Sequence, residues 1–206
     1  MFYKIKIPKW FRRLNKSLVW NIPTKEKIIY LTFDDGPHET ATPFVLDQLK
    51  SCNAKATFFC LGKNVQTYPD IYKRILDEGH ATGNHTFNHL NGLATKRNIY
   101  IDDISEAAEY IKSNLFRPPY GKISPFTSNI LKKKFGYKII MWDVLSADFD
   151  IKISPAKCLQ NVLNNVERGS IVVFHDSTKA WNAMQFALPN VLKKLSEDGY
   201  IFRKIY

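Results

Sequence analysis

From residue 27 onward the chain alternates strand-like and helix-like segments, and this alternation constrains its fold more than any other feature. Apolar runs rich in β-branched residues at 27–31, 54–60, 137–144 and 170–174 read as buried strands. The small-residue stretch 80–84, the pair 115–116 and the closing run 200–204 bring the total to about seven. Helical spacing falls between them at 68–78, 98–114, 124–135, 155–167 and 181–198, with Gly79, Gly136 and Gly199 as stops. A further helix runs through Val45, Leu46 and Leu49, with Thr40 or Thr42 as its cap. Strand then helix throughout gives a parallel sheet covered by helices. Seven such units in 206 residues suit a single-domain α/β fold, a distorted (β/α)7 barrel of the TIM-barrel type.

Composition removes several alternatives. A hydrophobic content of 45% is too high for a disordered chain, and no apolar run approaches the ~18 residues of a membrane span. Cys52, Cys60 and Cys158 are odd in number and contain no Cys-x-x-Cys pair, which excludes a disulfide framework and a cysteine zinc site. They read as small core residues in a reducing compartment. Residues 1–21 lack a continuous apolar stretch and a small-residue cleavage site, so no export signal is read. The default expectation is a cytoplasmic protein, with the envelope or cell exterior as the alternative.

The formal net charge is +11, and Lys4, Lys6, Lys9, Arg12, Arg13 and Lys16 all precede the first acidic residue. Residues 1–26 are read as a basic lead-in packed on the domain, and 27–206 as the domain itself. With Phe2, Trp10, Phe11 and Trp20 interleaved, the lead-in has the composition of a segment lying on an anionic membrane surface. No nucleic-acid-binding pattern accompanies the charge, and nothing in the sequence sets an oligomeric state.

The chemistry gathers at strand ends. Asp34 and Asp35 follow the first strand and precede Gly36-Pro37, which stops it. Strand neighbours point to opposite faces, and like charges this close need a cation or a shared proton. His85, Arg117, Asp143 and His175 also fall at carboxyl ends of predicted strands, which in a barrel converge on one mouth. His85 and His89, four apart, stack their rings if the segment forms a helical turn, and a carboxylate from Asp34 or Asp35 completes a three-ligand set for a catalytic metal. The other aspartate is then free to act as general base, Arg117 can hold it ionised, and His175 can act as general acid.

These residues carry a resemblance to the polysaccharide deacetylase family, carbohydrate esterase family 4, from about Lys27 to Tyr206. Thr32-Phe33-Asp34-Asp35-Gly36, His85-Thr86-Phe87-Asn88-His89, Arg117-Pro118-Pro119-Tyr120-Gly121 and Val173-Phe174-His175 are similar to its first, second, third and fifth motifs. The resemblance implies that Asp34 is the base and that Asp35, His85 and His89 hold one divalent ion, zinc first, with cobalt or nickel as alternatives. It implies that Arg117 orients Asp34, that the Tyr120 backbone N–H stabilises the oxyanion and that His175 protonates the departing amine. Pro118, Tyr120, Phe149 and Val173 would contact substrate, with Val173 lining a pocket for the acetyl methyl.

The fourth motif departs from the family. Leu145 stands where the family places the aspartate that supports the histidine acid, and Phe149 replaces a tryptophan wall. Asp148, Asp143 or Asp150 can substitute as the partner of His175, and Asp148 is counted with the catalytic set. The expected activity is hydrolysis of the N-acetyl group of an amino sugar in a glycan or saccharide, with release of acetate. O-acetyl ester or small-amide hydrolysis on the same scaffold is one alternative. A non-catalytic carbohydrate-binding protein is the other.

Overall fold

The computed structural model describes residues 3–206. After helix α1 (Lys9–Leu14) the alternation begins with β1 (Ile28–Asp34), α2 (Ala41–Ser51), β2 (Thr57–Cys60), α3 (Gly62–Thr67), α4 (Pro69–Asp77) and β3 (Ala81–Asn84). It continues through α5 (Arg97–Tyr110), β4 (Leu115–Phe116), α6 (Pro125–Phe135), β5 (Lys138–Ile139) and β6 (Val144–Leu145). It closes with α7 (Pro155–Leu163), β7 (Ile171–His175), α8 (Trp181–Glu197) and β8 (Ile201–Phe202).

All ladders between these strands are parallel, in the order β5-β4-β3-β2-β1-β7-β6, with β8 beside the start of β1. The sheet curls into the distorted (β/α)7 barrel that the alternation implies. Along β1, Ile29, Leu31 and Phe33 pack outward with Leu46 and Leu49 of α2 and Leu188 and Val191 of α8. The alternate residues face inward, where Tyr30 joins Phe59, Leu115, Ile140 and Ile171. This period-two division leaves Thr32 and Asp34 on the interior face.

Local sequence explains several helix ends. Ser124 and Ser154 each precede a proline, and their hydroxyls accept from Thr127 N and Lys157 N at 3.1 Å, capping α6 and α7. Helix α2 is capped differently from the expectation. Neither Thr40 nor Thr42 caps it; His38 Nδ1 accepts from Thr40 N (3.1 Å) and Ala41 N (3.2 Å). Thr42 instead donates to Asp176.

The predicted strand 137–144 is two strands, β5 and β6, which share no ladder. The chain breaks at Trp142, and the N-terminal segment lines the resulting seam. Leu145 N donates to Ile5 O (2.8 Å), Ile7 N to Asp143 O (2.9 Å), Val19 N to Ile139 O (2.9 Å) and Met141 N to Val19 O (2.7 Å). The seam edges are thereby hydrogen-bonded rather than left open.

The same break overturns the placement of Asp143. It precedes β6 instead of ending a strand, so it lies at the amino end of the barrel, opposite the mouth. There it is fully buried and accepts from Lys6 Nζ (2.8 Å), Arg12 Nη1 (3.1 Å), Ser170 Oγ (3.1 Å) and Ile171 N (3.0 Å). Burial pushes its carboxyl upward, and Lys6 and Arg12 oppose that shift. Arg12, itself buried, also donates to Glu167 at 3.0 Å. Removing one partner of such a group strands a buried charge. Asp143→Ala is expected to cost about 3 kcal/mol or more, read as a lower urea midpoint at unchanged m-value. An unchanged midpoint would show that the network does not pin the segment.

Candidate active site

The mouth is built from the end of β1. Asp34 points inward, and Asp35 adopts a left-handed backbone (φ 79°) that returns its carboxylate to the same mouth. Three contacts hold this turn. Asn64 Nδ2 donates to Asp35 O at 2.7 Å, Gly36 N donates to Asp176 Oδ1 at 3.1 Å, and Thr42 Oγ1 donates to Asp176 Oδ2. A Cβ at position 36 would collide with the Asp176 carboxyl, so the close approach itself requires glycine. Burial raises the Asp176 pKa to about 8, against the hydrogen bond from Thr42.

Arg117 follows β4 and is completely buried. Its Nη1 donates to Asp34 Oδ1 (2.6 Å) and Thr32 Oγ1 (2.7 Å), Nε to Ile140 O (3.2 Å) and Nη2 to Met141 O (2.9 Å). The guanidinium lies 4.1 Å from the centre of the Phe59 ring. That ring occupies the space a side chain at Gly83 would fill. Desolvation lowers the Arg117 pKa, and Asp34 counteracts it.

His85 and His89 follow β3 in a loop rather than in the helical turn that would stack their rings by spacing alone. Thr86 and His89 both take left-handed backbones (φ 70° and 59°), and the rings still lie 5.2 Å apart. The loop is fixed by residues the sequence reading missed. Asn84 Oδ1 accepts from Thr86 N (2.8 Å), and Asp103 of α5 accepts from Phe87 N (2.9 Å), Asn88 N (3.1 Å) and Asn88 Nδ2 (2.7 Å). An aspartate inside the buried stripe Tyr100, Ile104 and Ala107 was the available signal.

Asp35 Oδ1 lies 3.2 Å from His89 Nε2 and 3.6 Å from His85 Nε2. One donor atom from each of these three residues falls within 4.8 Å of the others. Asp35 Oδ1 is buried and has no hydrogen-bond partner. Burial lowers the His85 pKa to about 4, with Asp34 and Asp35 opposing. Its Nδ1 lies 2.7 Å from Arg117 O, which assigns the proton to Nδ1 and the lone pair to Nε2. Burial alone would raise the Asp35 carboxyl, but the adjacent His89 imidazole and the charges of His175 and His85 hold it well below the usual carboxylate range. Two imidazole nitrogens and an orphaned carboxylate oxygen fit a divalent cation.

His175 ends β7 directly beside Asp34, its registered partner on β1. Its Nδ1 lies 2.8 Å from Asp148 Oδ1, and its backbone N donates to Asp148 Oδ2 at 2.7 Å. Of the three carboxylates offered for His175, Asp148 is therefore the one that contacts it. Asp143 lies at the far pole, and Asp150 accepts from the Tyr3 hydroxyl at 2.6 Å. Burial would lower the His175 pKa, but Asp148 outweighs it, and Asp35 and Asp34 help to raise it to about 9.

Around these groups, Phe149 meets the His175 ring edge-on at 5.2 Å, and Tyr3 braces Phe149 at 5.4 Å. Tyr3 is a wall residue the sequence reading did not include. Pro118 is extended and leads into a short 3-10 turn, Pro119–Gly121, in which Tyr120 has φ 59°. The Tyr120 hydroxyl lies 3.1 Å from His89 Nδ1. Val173 is buried between Thr32 and Leu145, two residues before His175 on the same face.

Two outcomes follow from this geometry. The folded-state pKa of His175 lies above the ordinary value of about 6.5, so its stabilisation is complete below about pH 6.5 and fades as pH rises through about 9. Asp148→Asn is expected to cost roughly 3 kcal/mol at pH 6 and far less at pH 10, measured by urea unfolding without added metal. Equal losses at both pH values would refute the pairing. Replacing both His85 and His89 by alanine should abolish uptake of zinc or cobalt in a titration; unchanged metal content would refute the ligand set.

Residues 21–140 match the family model for polysaccharide deacetylase. A peptidoglycan-N-acetylglucosamine deacetylase of Bacillus cereus is 36% identical over 191 residues, spanning 90% of this chain and 89% of that protein. Peptidoglycan-N-acetylmuramic acid deacetylase PdaA of Bacillus subtilis is 37% identical over 194 residues, spanning 88% of this chain and 71% of that protein. The crystal structure of the Bc1960 peptidoglycan N-acetylglucosamine deacetylase, in complex with a 4-naphthalen-1-yl-N-oxidanyl-benzamide, matches with a TM-score of 0.88 at 32% identity. That match covers 95% of this chain and 94% of the other. With its four motifs brought to one mouth and these likenesses across nearly its whole length, the chain belongs to the polysaccharide deacetylase family, carbohydrate esterase family 4.

Proposed function

We propose that this protein is a metal-dependent hydrolase that removes the acetyl group from N-acetylated amino sugars of peptidoglycan, releasing acetate. One observation carries the reading. A buried carboxylate held by Arg117, a three-residue donor set with an orphaned oxygen and a histidine held by Asp148 share one mouth. The peptidoglycan deacetylases among its relatives support the substrate class, and the +11 charge suits anionic envelope material.

Asp35, His85 and His89 would hold the ion, zinc first, with cobalt or nickel as alternatives. When bound, such an ion polarises the amide carbonyl and makes water a stronger nucleophile at neutral pH. Asp34 accepts the proton of the attacking water, and Arg117 Nη1, 2.6 Å from Oδ1, fixes that carboxylate in position. The backbone N–H of Tyr120 donates to the oxyanion as the carbonyl becomes tetrahedral. His175 carries its second proton on Nε2, because Asp148 engages Nδ1, and gives it to the departing amine as the C–N bond breaks. Pro118, Tyr120 and Phe149 wall the sugar, and Val173 floors the space for the acetyl methyl.

The test is acetate release by chelated protein, with zinc or cobalt restored. The panel is peptidoglycan fragments, chitooligosaccharides, acetylated xylan and small N-acetyl sugars. Metal-restored release from peptidoglycan fragments is expected. Release from xylan alone would make the protein an O-acetyl esterase, and bound metal with no release from any substrate would make it a binding protein. Asp34→Asn should lower kcat by about 10²–10⁴-fold while retaining metal; loss of metal instead would reverse the roles of Asp34 and Asp35.

A further inference from the structure

Helix α1 is amphipathic in the wrong sense for a helix packed on a core. Arg12 faces inward to Asp143 and Glu167, while Trp10 and Leu14, one turn apart, are 61% and 76% exposed. Phe11 lies beside them and links Trp10 to the buried Trp20 through edge contacts of 5.9 and 5.5 Å. The exposed apolar face is therefore anchored to the domain, not a loose end. Beside it runs a cleft of about 810 Å³ whose cationic lining includes Lys9, Arg13, Lys16 and Arg168. Its single carboxylate, Glu167, is already engaged by Arg12, Lys6 and Lys9. Arg13, Lys16 and Arg168 form no ion pair among the described residues. Ile22, Thr24 and Arg168 of the cleft precede β1 and β7, which places this surface at the amino end of the barrel, away from the mouth.

We infer that this pole docks on an anionic lipid bilayer. Trp10 and Leu14 enter the headgroup boundary, and Arg13, Lys16 and Arg168 meet lipid phosphates, leaving the mouth directed away from the lipid. The charge selects this occupant over a second copy of the chain, which would set the same unpaired cations against each other at +11 on each side. The apolar pair selects it over a soluble polyanion, which offers Leu14 nothing to bury in.

The experiment is sedimentation of the full chain with vesicles of mixed phosphatidylglycerol and phosphatidylcholine, against vesicles of phosphatidylcholine alone. Binding to the anionic vesicles, weakened by salt, is expected. Trp10→Ser with Leu14→Ser should lower the partition coefficient by about tenfold or more. Arg13→Glu with Lys16→Glu should lower it by about a hundredfold. Both variants should keep the melting temperature and acetate release from a soluble oligosaccharide. No binding to anionic vesicles, or binding that both variants retain, overturns the proposal. So does concentration-dependent dimerisation that is lost in Leu14→Ser, which would assign the face to a second copy.

Discussion

A fully buried guanidinium organises this molecule. Arg117 leaves β4 and reaches Thr32 and Asp34 on β1, three strands along the sheet, while also bonding carbonyls that follow β5. In a flat sheet three strand spacings are about 14 Å, farther than an arginine side chain reaches. The contact exists because the sheet curls, and a buried cation without these partners would cost several kcal/mol. Phe59 lies against the guanidinium, and Gly83 leaves room for Phe59, so a glycine in β3 bears on the geometry at Asp34.

Two histidines in the same mouth are tuned in opposite directions, one by burial and one by a carboxylate that outweighs it. Burial lowers the His85 pKa and favours the neutral ring that metal ligation requires, while the Arg117 carbonyl at Nδ1 fixes which nitrogen keeps the proton. His175 is also buried, but the Asp148 carboxylate reverses the effect of burial and favours the charged ring a general acid needs. With Leu145 offering no carboxylate, His175 is still held, by Asp148. That carboxylate comes from a loop that turns through Ala147 at φ 62°.

The N-terminal segment belongs to both ends of the barrel. Tyr3 braces Phe149 at the mouth, Ile5 and Ile7 bond along β6, and Arg12 meets Asp143 at the opposite pole. Part of the basic charge that composition assigned to an outside surface is consumed in this internal network. What remains exposed is a smaller set of cations beside Trp10 and Leu14.

The sequence by itself determined the parallel barrel, because period-two and helical spacing are local properties that survive without tertiary context. It also placed Asp34, Asp35, His85, Arg117 and His175 at strand ends, because a charged residue closing an apolar run marks where a strand leaves the core. Tertiary structure alone decided which carboxylate serves His175, since Asp143, Asp148 and Asp150 are near in sequence yet fall at a far pole, a mouth and a surface hydroxyl. It decided the form of the loop 85–89, because Thr86 and His89 take left-handed backbones that no glycine announces and that Asp103 holds from another helix. It also split 137–144 at Trp142, where the N-terminal segment supplies the hydrogen bonds that a continuous strand would have found in its neighbour. Spacing fixes which face a residue occupies; only the closed chain fixes what that face meets.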